Sequence, residues 1–130
     1  MTRFSFKWLA ALAALSLLSV AALAQTSGPA AQISLGVTPT VVSAGGTVTV
    51  FGSITNTSAK AEKVTINYDV VGPCNYTDNY SVKVTLKAGE TRTASNSQTA
   101  PPCAGDYTIT ATAISGGTVL DIKSATVTVQ

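Results

Sequence analysis

Residues 64–70 read VTINYDV and alternate apolar and polar side chains without a break. Val64, Ile66, Tyr68 and Val70 share one parity, so an extended strand turns all four toward the same face. The flanking segments are rich in Thr and Val, and β-branched side chains favour strands over helices. The stretch therefore predicts a β-strand with one buried face.

The same period of two recurs along most of the chain, and turn signals such as Gly72-Pro73 and Gly116-Gly117 separate the segments. Residues 91–98, TRTASNSQ, are polar on both faces and give the weakest strand signal. The predicted strands cover residues 33–37, 47–55, 64–70, 82–86, 91–98, 107–113 and 118–129.

The predicted fold class is all-β: an immunoglobulin-like β-sandwich of about seven antiparallel strands, because short strands with turns about every 8 to 12 residues are typical of it. A closed barrel is the alternative. In the last strand Ile122 and Val127 have opposite parities, so a regular strand cannot turn both toward the core. We therefore predict a bulge near Lys123 and Ser124.

The first 24 residues are predicted to be a cleaved signal peptide. Arg3 and Lys7 precede an apolar run that ends in Ala22-Leu23-Ala24, the small-x-small pattern of a cleavage site. A retained membrane anchor is the alternative, but an apolar run of about 17 residues is short for one. We divide the chain into signal peptide 1–24, flexible lead-in 25–31 and sandwich domain 32–130. The domain is expected to be secreted or periplasmic, with no membrane contact after cleavage.

Cys74 and Cys103 are the cysteines of the chain. Export to an oxidising compartment predicts that they form a disulfide, and two free buried thiols are the alternative. Cys74 follows strand 64–70 and Cys103 precedes strand 107–113. In an immunoglobulin-like topology these strands are antiparallel neighbours, so the bridge would close one sheet at its rim.

No catalytic, metal or cofactor residues are predicted. The chain has no histidine, which removes the usual nucleophilic triads and the commonest metal ligand. Its six acidic residues are not paired at short spacing, and no glycine-rich phosphate loop is present. Removing Arg3 and Lys7 with the leader leaves six basic residues against six acidic ones, so nucleic acid is not an expected partner.

A segment rich in tyrosine and asparagine is the predicted binding loop, formed by Asn75, Tyr76, Asp78, Asn79 and Tyr80. Tyrosine offers a large contact area at low entropic cost, and small amides adapt their hydrogen bonds. An ordinary solvated turn, with Tyr80 folded onto the sheet edge, is the alternative. Asn56, Asn75 and Asn79 also head Asn-x-Ser/Thr sequons, which matter only in a eukaryotic secretory route.

Residues 104–109, AGDYTI, resemble the tyrosine corner of immunoglobulin-like domains, in which a residue such as Tyr107 has a structural role. Residues 46–56, followed by VTINY at 64–68, are similar to bacterial exported domains of the CARDB and fibronectin-III-like kind. The resemblance implies an extracytoplasmic, non-catalytic module that binds a protein or cell-surface ligand. A carbohydrate-binding module and a structural subunit of a surface fibre are the alternatives.

Overall fold

The computed structural model describes the backbone of Ser16–Leu18 and all of residues 30–130. The predicted signal peptide, residues 1–24, lies outside the described residues except for Ser16–Leu18, and most of the predicted lead-in does too. Ala31 is fully buried and opens a strand, so the last residue of that lead-in belongs to the sandwich.

Strands make up the regular structure of the described residues, which contain no helix and therefore none long and apolar enough to cross a membrane. The strands are β1 (Ser16–Leu18), β2 (Ala31–Thr38), β3 (Val41–Val42), β4 (Thr47–Asn56), β5 (Glu62–Gly72), β6 (Tyr76–Leu86), β7 (Thr91–Thr99), β8 (Gly105–Ser115) and β9 (Thr118–Val129).

Two sheets form the sandwich. Sheet A has the order β1-β7-β4-β2, and sheet B has the order β3-β9-β8-β5-β6. The pairings are antiparallel except for the short parallel contact between β3 and β9. The predicted immunoglobulin-like sandwich is confirmed, and the seven predicted strands correspond to β2 and to β4 through β9.

The core lies between the inward faces of the two sheets. Alternate residues of β5 and β8 are buried, as the two-residue period predicts, and Val48, Val50 and Ile54 of β4 face them from sheet A. The phenol ring of Tyr107 fills the core near the start of β8 and is fully buried. Burial of one side-chain parity in each sheet is the main favourable contribution to this fold.

Two local predictions were wrong. Strand β6 begins at Tyr76 rather than Val82, because it pairs along its whole length with β5. The predicted bulge in β9 lies earlier than Lys123 and Ser124: Ala113 pairs with Asp121 and Ile114 with Val119, so Leu120 is the extra residue. The shift leaves Ile122 on the outer face, where it is 54% exposed.

Candidate functional site

The rim of sheet B carries the disulfide. Cys74 and Cys103 are joined with an S–S distance of 2.05 Å and a Cα–Cα distance of 6.4 Å, which confirms the predicted bridge. It connects the turn after β5 to the segment before β8, and these two strands are paired neighbours. The cystine therefore closes one sheet at its end rather than crossing the core between sheets.

Tyr107 supports this rim from inside. Its hydroxyl donates a hydrogen bond of 2.8 Å to the carbonyl oxygen of Cys103, and burial raises the pKa of this phenol. Its ring lies against Gly72, where a Cβ atom would overlap it, and the ring of Tyr76 meets it edge-on at a centroid distance of 5.7 Å. The group packs the disulfide end of the sandwich.

The predicted binding loop is a hairpin turn followed by a strand. Asn75 lies in the turn with φ of 57°, and Tyr76, Asp78, Asn79 and Tyr80 belong to β6. The two tyrosines turn toward the interior and are half-buried against the core, whereas Asn75 and Asn79 are exposed. The prediction of a loop was wrong because the β5 register continues to Gly72, opposite Tyr76. The predicted binding role of these residues stays a prediction.

The outer face of sheet A has a composition that the sequence reading did not single out. Its positions, which alternate with the buried ones, carry Ser and Thr side chains around Phe51. Three pairs of hydroxyls bridge neighbouring strands: Ser34 with Ser53 at 2.6 Å, Thr49 with Ser97 at 2.8 Å and Thr55 with Thr91 at 2.7 Å. We call this surface the hydroxyl face.

Phe51 lies at the centre of the hydroxyl face and is 44% exposed. One side of its ring covers Gly36 of β2, where a Cβ atom would come within 2.5 Å of the ring. Such an aromatic over a strand glycine replaces packing that glycine cannot supply. The other side of the ring is open, and a depression of about 370 Å³ beside it is lined by residues including Ser34, Ser53 and Thr93.

No charged side chain belongs to the hydroxyl face. Its outward positions on β2, β4 and β7 are occupied by Gln, Ser, Thr, Gly and Phe. Among residues 30–130, no group of three or more His, Cys, Asp or Glu side chains is placed to hold a metal ion. The chemistry that this face offers is therefore hydroxyl hydrogen bonding and aromatic contact.

Two acids, the buried Glu90 and the partly buried Asp121, lie away from the hydroxyl face. The backbone N–H of Lys87 lowers the pKa of Glu90, and Arg92, whose Nε is 3.0 Å from its carboxylate, lowers it further. Burial acts to raise the pKa of Asp121, but hydrogen bonds from the Ile33 N–H and other donors lower it overall. Both acids hold backbone N–H groups and are structural.

Comparison with solved structures identifies the fold. The chain matches the CARDB domain of a Pyrococcus furiosus protein, determined with two metal ions, with TM-score 0.59 and 16% identity over 87% of this chain and 100% of that one. The chain has a CARDB-type fold. The sequence itself matches no protein-family profile and no curated protein.

Similar folds also occur inside larger proteins. The chain matches an alkylpurine DNA glycosylase of Pseudomonas fluorescens with TM-score 0.60 and 17% identity, over 80% of this chain and 31% of that one. It matches the sporulation control protein Spo0M of Bacillus subtilis with TM-score 0.54 and 11% identity, over 78% of this chain and 49% of that one. The chain thus spans less than half of either protein, and at these identities the likeness extends to the fold alone.

Proposed function

We propose that this protein is an extracytoplasmic, non-catalytic interaction domain that binds a protein or cell-surface partner through the hydroxyl face. The observation that supports the proposal is the exposure of the Phe51 ring. Among residues 30–130 it is the exposed aromatic side chain, since Tyr68 and Tyr107 are buried and the other two tyrosines are half-buried. Exposed aromatic rings in a polar setting are enriched at binding hot spots.

The surroundings of Phe51 favour a neutral partner. Rows of hydroxyls flank the ring on three strands, and the depression beside it is open on one side. Because the domain without its predicted leader has equal numbers of basic and acidic residues, long-range attraction adds little to binding. Affinity then depends on shape, hydroxyl contacts and burial of the ring.

A carbohydrate is the second candidate partner. The favouring observation is the same open ring flanked by the Ser34–Ser53 hydroxyl pair, since aromatic planes pack on sugar rings and hydroxyls exchange hydrogen bonds with them. A glycan array separates this candidate from a protein partner. Saturable binding to one glycan class would identify the hydroxyl face as a carbohydrate-binding surface. An array without binding would favour a protein partner.

The test of the site is a titration of labelled, processed protein on intact cells of the source organism. Phe51→Ala should weaken binding by about 30-fold, since truncating a hot-spot residue costs about 2 kcal/mol or more. Val71→Ala is the matched control, because Val71 is an exposed apolar residue, 59% accessible, on the outer face of sheet B. Equal binding by both variants would refute the hydroxyl face as the site.

A double variant, Asn75→Ala with Asn79→Ala, tests the predicted site at the β5–β6 hairpin. Both side chains are exposed, so the double variant removes their amides while the core stays intact. We expect binding to be unchanged. Loss of binding in this variant, with Phe51→Ala unaffected, would move the site to the hairpin and retain only the interaction role.

A further inference from the structure

Strand β7 is an edge strand that accepts an additional strand. Ser16–Leu18 of β1 pair antiparallel with Thr91–Thr93 of β7, and they lie inside the predicted leader. Within the described part of the chain, the rest of β7 has no neighbour on that side. Once the leader is removed, alternate residues along the whole of β7 present unpaired backbone N–H and C=O groups at the open edge, because the residues between them are bonded to β4.

The other sheet edges carry features that hinder strand addition. On β2 the N–H of Ile33 is already bonded to the carboxylate of Asp121, at 2.8 Å, and Pro39 follows the strand. Strand β6 carries the exposed Lys83, and β3 is two residues long. Charges, proline, short length and side-chain capping are the devices by which natural sheets protect their edges.

Strand β7 carries one charge, Arg92, and has none of the other devices. Its sequence TRTASNSQT contains neither lysine nor proline, and its register with β4 runs without a bulge from Thr91 to Thr99. Its one charged side chain, Arg92, is held by Glu90 at 3.0 Å and by the carbonyl oxygen of Thr85 at 3.0 Å. The guanidinium is therefore directed toward β6 of sheet B.

We propose that β7 of the processed protein pairs antiparallel with β7 of a second copy, which joins the two copies of sheet A into one continuous sheet. The proposal rests on the predicted cleavage but not on the partner assigned to the hydroxyl face. With Ser95 of both copies on the two-fold axis, Arg92 lies opposite Gln98 and Thr93 opposite Ser97. No like charges face each other, and the remaining pairs are Ala94 with Asn96 and Thr91 with Thr99.

An unsatisfied buried group supports a second copy as the occupant. The side-chain nitrogen of Asn96 is buried and has no hydrogen-bond partner within the described residues. In the two-fold arrangement around Ser95, the Asn96 side chains of the two copies are diagonal neighbours on the inward face. Diagonal side chains in an antiparallel pair are within reach of one another, so each amide can donate to the other.

Sedimentation analysis of the protein collected after export, with intact mass verifying the processed terminus, tests the proposal. We expect a mass of two chains at micromolar concentration. Ser95→Lys places two ammonium groups opposite each other across the axis and should yield a folded monomer with an unchanged circular dichroism spectrum. Thr85→Lys, at another exposed position on the β6 edge, should remain a dimer, and so should Phe51→Ala.

Covalent trapping tests the register. Ser95→Cys should give a disulfide-linked dimer on mild oxidation, because directly opposite residues bring their Cβ atoms close enough for a bridge. Thr77→Cys, on β6, should stay monomeric in the same denaturing gel. The proposal would be overturned if the processed wild-type protein sedimented as a monomer. This holds even if a synthetic peptide of residues 12–22, which contains β1, binds to it. A Ser95→Lys dimer would overturn it too.

Discussion

Asn56 is buried and its side chain connects two turns, which makes it the best position for testing the fold. Its Nδ2 donates to three carbonyl oxygens, and its Oδ1 accepts from the backbone N–H and the hydroxyl of Ser58 at 2.9 and 2.7 Å. The carbonyls belong to Lys60 at 2.9 Å, Leu86 at 3.0 Å and Lys87 at 3.1 Å. The side chain thereby joins the turn after β4 to the turn before β7.

Replacing Asn56 by alanine removes these bonds and leaves buried carbonyl groups without partners. An amide nitrogen has two protons, so about four independent hydrogen bonds are lost, each worth about 1 kcal/mol net. We expect a loss of about 4 kcal/mol, a large part of the roughly 5–15 kcal/mol that stabilises a typical domain.

Asn56→Asp should be worse than alanine at neutral pH, because it directs a buried carboxylate at three carbonyl oxygens. Burial raises the pKa of such an aspartate in the folded state above its unfolded value of about 3.9. Stability of this variant is therefore highest at low pH and is lost as pH rises through the folded pKa. The wild-type protein has no ionisable side chain at position 56, so this pH-dependent loss of stability does not occur in it.

Urea unfolding followed by far-ultraviolet circular dichroism measures both variants, with Asn79→Ala and Asn79→Asp as matched controls at an exposed asparagine. The controls should stay within about 0.5 kcal/mol of wild type, as surface substitutions usually do. If Asn56→Asp equalled its Asn79 counterpart at pH 7, the hydrogen-bond network would not have the structural role assigned here. The same burial means that the Asn56 sequon cannot be reached by a glycosylating enzyme in the folded domain.

Three further predictions concern the rim and the turn before β7. Replacing both Cys74 and Cys103 by alanine opens a loop of sequence separation 29 and should cost about 3.6 kcal/mol in the chain-entropy model, lowering the melting temperature by roughly 15 °C or more; an unchanged melting temperature would contradict this. Gly72→Ala forces a methyl group into the Tyr107 ring and should cost about 1–3 kcal/mol, measured as a lower urea midpoint. Because the folded pKa of Glu90 is lowered, its contribution to stability is present above the unfolded pKa and is lost as pH falls through the folded pKa. Glu90→Gln should reduce the loss of stability as pH falls, and an unchanged loss would argue against this role of Glu90.

Local patterns explain why much of the fold could be predicted. In β5 the alternation from Val64 to Val70 names the buried face directly, because side chains of a strand point to opposite sides in turn. The bridge between Cys74 and Cys103 followed from their placement after one strand and before its neighbour.

Other features depend on contacts that no local pattern records. Strand β7 has no apolar face, and pairing with β4 makes it a strand. Residues 76–80 look like a polar loop, yet β5 extends far enough to pair with them, which turns both tyrosines inward. The hydroxyl face arises because β2, β4 and β7 bring their outward residues together.

The sequence by itself determined the strand content, the buried parity of most strands and the cysteine pair, since these depend on neighbours along the chain and on the period of an extended backbone. The tertiary structure decided where β9 bulges, that Asn56 is buried, and which residues surround Phe51. These depend on the register between strands distant in sequence, and register is chosen by the packing of the whole sandwich rather than by any one strand.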